Sequence, residues 1–250
     1  MGRFDGKIAL VTGASSGIGA SSALRLAAEG ARVYGLGRNG EGLAATQAAI
    51  ASAGGDCAMA TCDVSDPGAC REAVSACVAH YGQLDILVNC AGQHVFRPLQ
   101  SITDDTWLQD LATNLGGTFY LSQAAVPHLL ESAGNIVNVG SLASVEGQTY
   151  SATYCSAKHG VVGLTKALAV EFAKTDLRVN AVCPGGTDTP QIAKVGIPDE
   201  ADFDLVMRSA GLRGMSEPED IAAVIAFLAS DDARAVNGAI YMADQGKTAG

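Results

Sequence analysis

Lys7-Ile8-Ala9-Leu10-Val11-Thr12-Gly13-Ala14-Ser15-Ser16-Gly17-Ile18-Gly19 changes character twice over a short length of chain. Lys7 to Thr12 is an apolar run rich in Val and Ile, the pattern of a buried strand. The glycine-rich stretch Thr12 to Gly19 follows. From Ile18 to Glu29 apolar residues then recur at helical spacing, until Gly30 stops them. A strand, a tight glycine turn and a helix in immediate succession make half of a βαβ unit, so the fold is decided by whether that unit repeats.

It repeats along the chain. Ala31 to Leu36 reads as a second strand, about Glu41 to Ala53 as a helix, and Cys57 to Thr61 as a third strand. The next helix opens at Asp66-Pro67, where Asp66 can cap and Pro67 occupies the first helical position. Ile86 to Asn89, Asn135 to Val139 and Arg178 to Val182 follow as strands. A last one, Ala239 to Met242, comes after a helix opening near Pro218. Repeated βα units predict right-handed crossovers and an α/β fold: a doubly wound parallel sheet, Rossmann-like, with helices on both faces. No linker or low-complexity tract interrupts the 250 residues, so residues 1–250 are read as a single domain. Gly185 to about Met215 lacks a clear period. A loop of that length at the carboxyl ends of strands is a lid or a binding loop.

Composition narrows the function classes. Hydrophobic residues make up 48% of the chain, which excludes disorder, and the formal net charge is -10. An acidic surface repels nucleic acid and anionic membranes, so neither is an expected partner. The first residues lack the apolar stretch of a signal peptide, and the longest apolar run, Ile221 to Ala229, is too short to cross a bilayer. The seven cysteines form no C-x-x-C pair and read as reduced thiols, so a cytoplasmic protein is expected. The four histidines show no metal-ligand spacing, and no metal site is expected.

Glycines between the first strand and the first helix let the backbone turn tightly. They also let a pyrophosphate approach the helix amino terminus, where unpaired N–H groups and the dipole favour anions. Gly13, Ser15, Ser16, Gly17, Ile18 and Gly19 are therefore candidate dinucleotide ligands, the alternative being an ordinary glycine-rich turn. At the end of the second strand a carboxylate would accept from both ribose hydroxyls of NAD, whereas an arginine would pair with the 2′-phosphate of NADP. Gly37 followed by Arg38 stands there, so NADP is predicted, with Arg38 stacked on adenine or solvated as the alternative.

Tyr154-Cys155-Ser156-Ala157-Lys158 places a phenol and an amine at i and i+4, on one face of a helical stretch running to about Lys174. A phenol with its ordinary pKa of about 10 is a poor base at neutral pH. A neighbouring ammonium and a cationic nicotinamide both favour phenolate. Such a tyrosine can protonate a carbonyl oxygen or take a hydroxyl proton. Ser141 follows an apolar strand and would emerge where it can hold a substrate oxygen. Asn89-Cys90-Ala91-Gly92 ends strand four with a polar residue and small ones, against which a cofactor can lie. Asn114 is an odd polar residue in a helical stretch, able to bind a water or backbone group that relays protons from Lys158.

Taken in order, these segments resemble the compact, single-domain form of the short-chain dehydrogenase/reductase family, over essentially the whole chain. The resemblance implies a catalytic tetrad of Asn114, Ser141, Tyr154 and Lys158. It implies that Asp63 and Val64 flank adenine, that Asn89, Ala91 and Gly92 belong to the cofactor wall, and that Lys158 also binds the nicotinamide ribose. Pro184, Gly185, Thr187 and Thr189 would hold the nicotinamide amide and pyrophosphate. A homo-oligomer, a tetramer, is implied as well. Cys90 departs from the family's usual second Asn, Gly186-Thr187 is smaller and more polar than usual, and Asp244-Gln245-Gly246 varies a D-G-G turn.

The expected function is NAD(P)-dependent transfer of hydride between nicotinamide and an alcohol/ketone carbon. NADPH-linked ketone reduction is favoured, with Tyr154 as acid/base and a small-molecule substrate under a loop of about residues 186–215. Three alternatives stand beside it: an NAD-linked degradative alcohol dehydrogenase, a 3-oxoacyl-carrier-protein reductase and a non-catalytic dinucleotide sensor. Scattered Arg97, Lys194, Arg208 and Arg213 give no basic face for an acidic carrier, and an intact Ser141, Tyr154 and Lys158 argues against the sensor. The pocket walls are expected from Gln93 to Phe96, Leu142 to Tyr150 and Gly186 to Met215. Glu146, Gln148, His94 and Gln191 suggest a substrate with polar groups beyond its carbonyl, with His94 read rather as a surface residue.

Overall fold

The computed structural model describes residues 2–192, 196–198 and 200–249; Lys194 and part of the 186–215 loop lie outside the described residues. Strands β1 (Ile8–Thr12), β2 (Arg32–Gly37), β3 (Cys57–Thr61), β4 (Ile86–Asn89), β5 (Asn135–Val139), β6 (Arg178–Pro184) and β7 (Ile240–Ala243) form one sheet in the order β3-β2-β1-β4-β5-β6-β7. Every neighbouring pair is parallel. Parallel strands need crossovers, and helices α1 (Gly17–Ala28), α2 (Gly40–Ser52) and α3 (Pro67–Tyr81) supply the first ones. Two further helices, α4 (Asp104–Leu111) and α5 (Gly117–Glu131), are joined through a π turn, Ala112–Gly116. They are followed by α6 (Ala152–Glu171), the short α7 (Phe203–Met207) and α8 (Pro218–Ala229).

Both faces of the sheet are apolar and both are covered. Along β1 the side chains alternate: Ala9 and Val11 join a core with Leu26 of α1, Ile50 of α2 and Ile225 of α8. Ile8 and Leu10 join a second core with Val74 of α3 and Leu121 of α5 on the opposite face. A strand buried on both sides must be apolar throughout, which is why β1 carries no alternating polar residue. Local chemistry starts α3, where the Asp66 carboxylate accepts from Gly68 N and Ala69 N and Pro67 follows it.

The chain leaves β1 for β2 on one side and returns to β4 on the other. The carboxyl ends of β1 and β4 therefore border the crevice where ligands bind in open α/β sheets. The Thr12 hydroxyl ties this junction together, accepting from Cys90 N and Ala91 N, each at 2.9 Å. Within the loop that shows no period, the structure places α7, whose first turn is capped by the Asp202 carboxylate accepting from Leu205 N.

Candidate active site

One cleft of about 760 Å³ runs across the carboxyl ends of the strands. Gly13, Ser15, Ser16, Gly17, Ile18, Gly19, Arg38, Asp63, Val64, Ala91, Gly92, Pro184, Gly185, Thr187 and Thr189 all line it, together with Ser141, Tyr154 and Lys158. Thus most of the residues singled out in the sequence come together on one surface. Asn89 and Asn114 do not line it. The buried Asn89 amide donates to Ser122 Oγ and Asn138 Oδ1, bracing the sheet behind the wall.

The floor at the amino terminus of α1 is built by small residues. Gly17 has φ +52°, and a Cβ there would sit 2.9 Å from Thr189 Cγ2. A Cβ on Gly19 would sit 2.3 Å from the Gly13 carbonyl oxygen, so the helix can start this close to the strand only with glycine. Ser16 precedes α1 but makes no side-chain capping bond, leaving the first-turn N–H groups to an outside acceptor. This cradle fits a dinucleotide pyrophosphate.

At the adenosine end, Arg38 Nη1 is 4.0 Å from Asp63 Oδ2, and both side chains are about half exposed. Asp63 Oδ1 accepts from the backbone and the hydroxyl of Ser65, and these bonds hold its carboxyl below the usual range. Gly37 faces inward, where a Cβ would meet Ser15 Oγ at 3.1 Å. No carboxylate stands at the end of β2.

At the other end, α6 presents Tyr154 and Lys158 on one face, with Lys158 Nζ 5.7 Å from the centre of the phenol ring. Lys158 is buried, donates to Val139 O at 2.8 Å, and has its ammonium pulled down in pKa by burial. Burial also pushes the Tyr154 phenol up to about 12, while the Ser141 hydroxyl facing it counters part of that rise. Ser141 is fixed by its own turn: its hydroxyl accepts from Ala143 N, and its N–H donates to Ser144 Oγ. The phenol therefore stands protonated at neutral pH, ready to act as an acid.

Asn114 sits in the π turn between α4 and α5 rather than in regular helix. Its Oδ1 accepts from Gln93 N at 2.8 Å and its Nδ2 donates to Asp110 O at 3.1 Å. A Cβ on Gly92 would lie 2.9 Å from Asn114 Oδ1 and 3.5 Å from Lys158 Nζ, so glycine lets the amide and the amine approach one another.

Two features were not legible beforehand. His94 belongs to the expected Gln93–Phe96 wall, but it turns into the cleft rather than out to the surface, its ring stacked on Tyr154. The reason is a polar anchor beneath it, the buried Ser151 hydroxyl, 2.8 Å from His94 Nε2. The buried Asp110 of α4 accepts from Arg97 Nη1 and Thr153 Oγ1, each at 2.7 Å, and so joins the segment carrying His94 to the first turn of α6. A carboxylate followed at i+4 by Asn114 is the only sequence trace of it. Of the expected walls, Phe96, Leu142 and Gln148 line the cleft with His94, whereas Glu146 turns away and pairs with Lys247 at 3.1 Å. The segment leading into α7 rests on this wall, with Asp202 N donating to the Tyr150 hydroxyl at 3.0 Å.

Known proteins share these features. Residues 13–248 match a family model described as enoyl-(acyl carrier protein) reductase. A 3beta-hydroxysteroid dehydrogenase of Mediterraneibacter gnavus is 40% identical, over 99% of this chain and 97% of that protein. A short chain dehydrogenase from Mycobacterium paratuberculosis, solved bound to NAD, superposes with a TM-score of 0.93 at 32% identity, over 100% of both chains. An actinorhodin polyketide ketoreductase solved with NADPH gives 0.89 at 36% identity, over 96% of this chain and 97% of that one. With a match of this length and a cleft of this construction, the chain belongs to the short-chain dehydrogenase/reductase family, NAD(P)-dependent oxidoreductases acting on alcohol and ketone carbons.

Proposed function

We propose that the protein is an NADPH-linked ketone reductase with Tyr154 as its acid/base. The observation that carries this reading is the placement of Ser141, Tyr154 and Lys158 at one end of the cleft, with Arg38 at the other and no carboxylate at the end of β2. Arg38 pairs with the 2′-phosphate of the nucleotide, and its loose 4.0 Å approach to Asp63 leaves it able to turn. Asp63 takes the adenine amino group and Val64 packs beside the ring. The first turn of α1 receives the pyrophosphate. Pro184, Gly185, Thr187 and Thr189 hold the nicotinamide amide and the pyrophosphate, and Lys158 holds the ribose.

When bound, the nicotinamide supplies the hydride. The chain's own residues do the rest. Ser141 holds the carbonyl oxygen, and Tyr154 gives it a proton. Lys158 stands behind the phenol as the next proton donor, with Asn114 facing it across Gly92. The free thiols of Cys62, Cys70, Cys77 and Cys183, all buried, support a cytoplasmic location. Exposed Trp107, Leu108 and Phe119 on α4 and α5 support assembly into the tetramer that the family resemblance implies. The test is a ketone panel with NADPH and with NADH, followed by absorbance of the reduced nicotinamide. A kcat/KM ratio of NADPH over NADH below one overturns the cofactor assignment.

A further inference from the structure

We infer that the substrate is an uncharged, hydrocarbon-rich cyclic ketone or its secondary alcohol. This rests on the reading of the cleft as a carbonyl-reducing site. Of the four polar side chains expected to face the substrate, His94, Glu146 and Gln191 are engaged within the protein, and the fourth, Gln148, lines the cleft. His94 Nε2 has the Ser151 hydroxyl, and Glu146 has Lys247. The Gln191 amide, oriented so that both its groups are satisfied, donates to Gly92 O at 3.3 Å and accepts from His94 N at 2.7 Å. The Tyr150 hydroxyl takes Asp202 N.

Apart from Gln148, the remaining wall around the catalytic end is largely apolar. Phe96 packs edge-on to His94 at 4.6 Å on the catalytic side, and Ile192, Ile197, Val206, Met207 and Met215 line the side of the 186–215 loop. Met207 and Met215 are each 49% exposed, which leaves apolar surface bare toward the cleft. Exposed apolar side chains gathered around an opening mark a site that an apolar ligand covers. Methionines suit ring systems of varied outline, because their unbranched chains repack around a ligand. Among the described residues lining the cleft, the charged ones are Arg38, Asp63 and Lys158. The first two lie at the adenosine end and the third behind the phenol, so none of them faces a carboxylate or phosphate on the substrate.

The test is a kinetic series with wild type and NADPH: cyclohexanone, 2-decalone and a fused tricyclic ketone against acetoacetate and dihydroxyacetone. Each additional buried methylene is expected to raise kcat/KM about fourfold, with the charged and polyhydroxylated compounds falling below cyclohexanone. A higher kcat/KM for acetoacetate or dihydroxyacetone than for 2-decalone overturns the inference. Met207→Glu is expected to lower kcat/KM for 2-decalone at least about tenfold with the affinity for NADPH unchanged; an unchanged kcat/KM counts against it. Calorimetric binding of 2-decalone to the wild-type protein with NADP+ separates this idea from its premise. If no ketone is reduced, the assigned function fails. Stronger binding of 2-decalone than of acetoacetate still supports the apolar site, and equal or weaker binding rejects it.

Discussion

The imidazole of His94 lies on the phenol of Tyr154, ring centres 4.3 Å apart and planes 20° from parallel. Two residues sixty positions apart in the chain thus share one stack, with Ser151 fixing the imidazole edge. The ring limits how the phenol can lean, which matters because a misplacement of about 1 Å at a reacting group lowers turnover about a hundredfold. His94→Ala is therefore expected to reduce kcat by about tenfold or more while leaving the NADPH dissociation constant unchanged. His94→Phe, which keeps the stack and loses the Ser151 contact, should recover part of that loss. Equal kcat for wild type and His94→Ala in steady-state assays would remove the positioning role.

The same histidine gives a pH signature. Burial pulls its imidazole from an ordinary 6.5 down to about 4, so the native state holds it neutral. A depressed folded-state pKa means that the unfolded chain takes up the proton first as pH falls. This contribution to stability is complete above about pH 6.5 and is lost as pH drops toward 4. Denaturant midpoints measured across that window should fall more steeply for wild type than for His94→Gln; parallel curves would contradict it.

Tyr154→Phe removes the hydroxyl and keeps the ring. Cofactor binding, followed by quenching or calorimetry, should be nearly unchanged, while kcat falls by about two to four orders of magnitude, as expected for loss of a general acid. Retained turnover with a verified substrate would sink the assigned role.

Arg38→Asp places a carboxylate beside the adenosine ribose and removes the partner of a 2′-phosphate. The preference between NADPH and NADH should reverse. The readout is the ratio of the two kcat/KM values, and an unaltered ratio would show that Arg38 does not read the phosphate.

Asp110→Ala should lower stability by about 3 kcal/mol, because it strands the Arg97 guanidinium and the buried Thr153 hydroxyl against each other. Thermal unfolding reports this directly. A change in Tm within error would mean that water replaces the carboxylate.

Much of this was written locally. The strands Cys57–Thr61, Ile86–Asn89 and Asn135–Val139 are read from the sequence at their observed bounds, because short apolar runs stopped by polar or small residues mark strands, the last two being buried on both faces. The glycine turn and the Tyr154/Lys158 pair are also local, being set by spacing along one turn or one helix face. The stretch from Asp104 to Glu131 is less legible: a π turn breaks its period, and Pro127 lies inside α5. What escaped altogether is non-local. The environment of His94 depends on a serine 57 residues away, and the pairing of Glu146 with a lysine 101 residues away. No window along the chain contains both partners.

The π turn at Ala112–Gly116 also has a price in regularity. One surplus residue widens the backbone ring there and swings Asn114 out of the helical ladder to meet Gln93 N. Deleting a residue from this turn would restore ordinary α-helix and rotate the amide by about 100°, away from that partner. The shortened protein should unfold no sooner and turn over more slowly: a helix made tidier, and a worse catalyst for it.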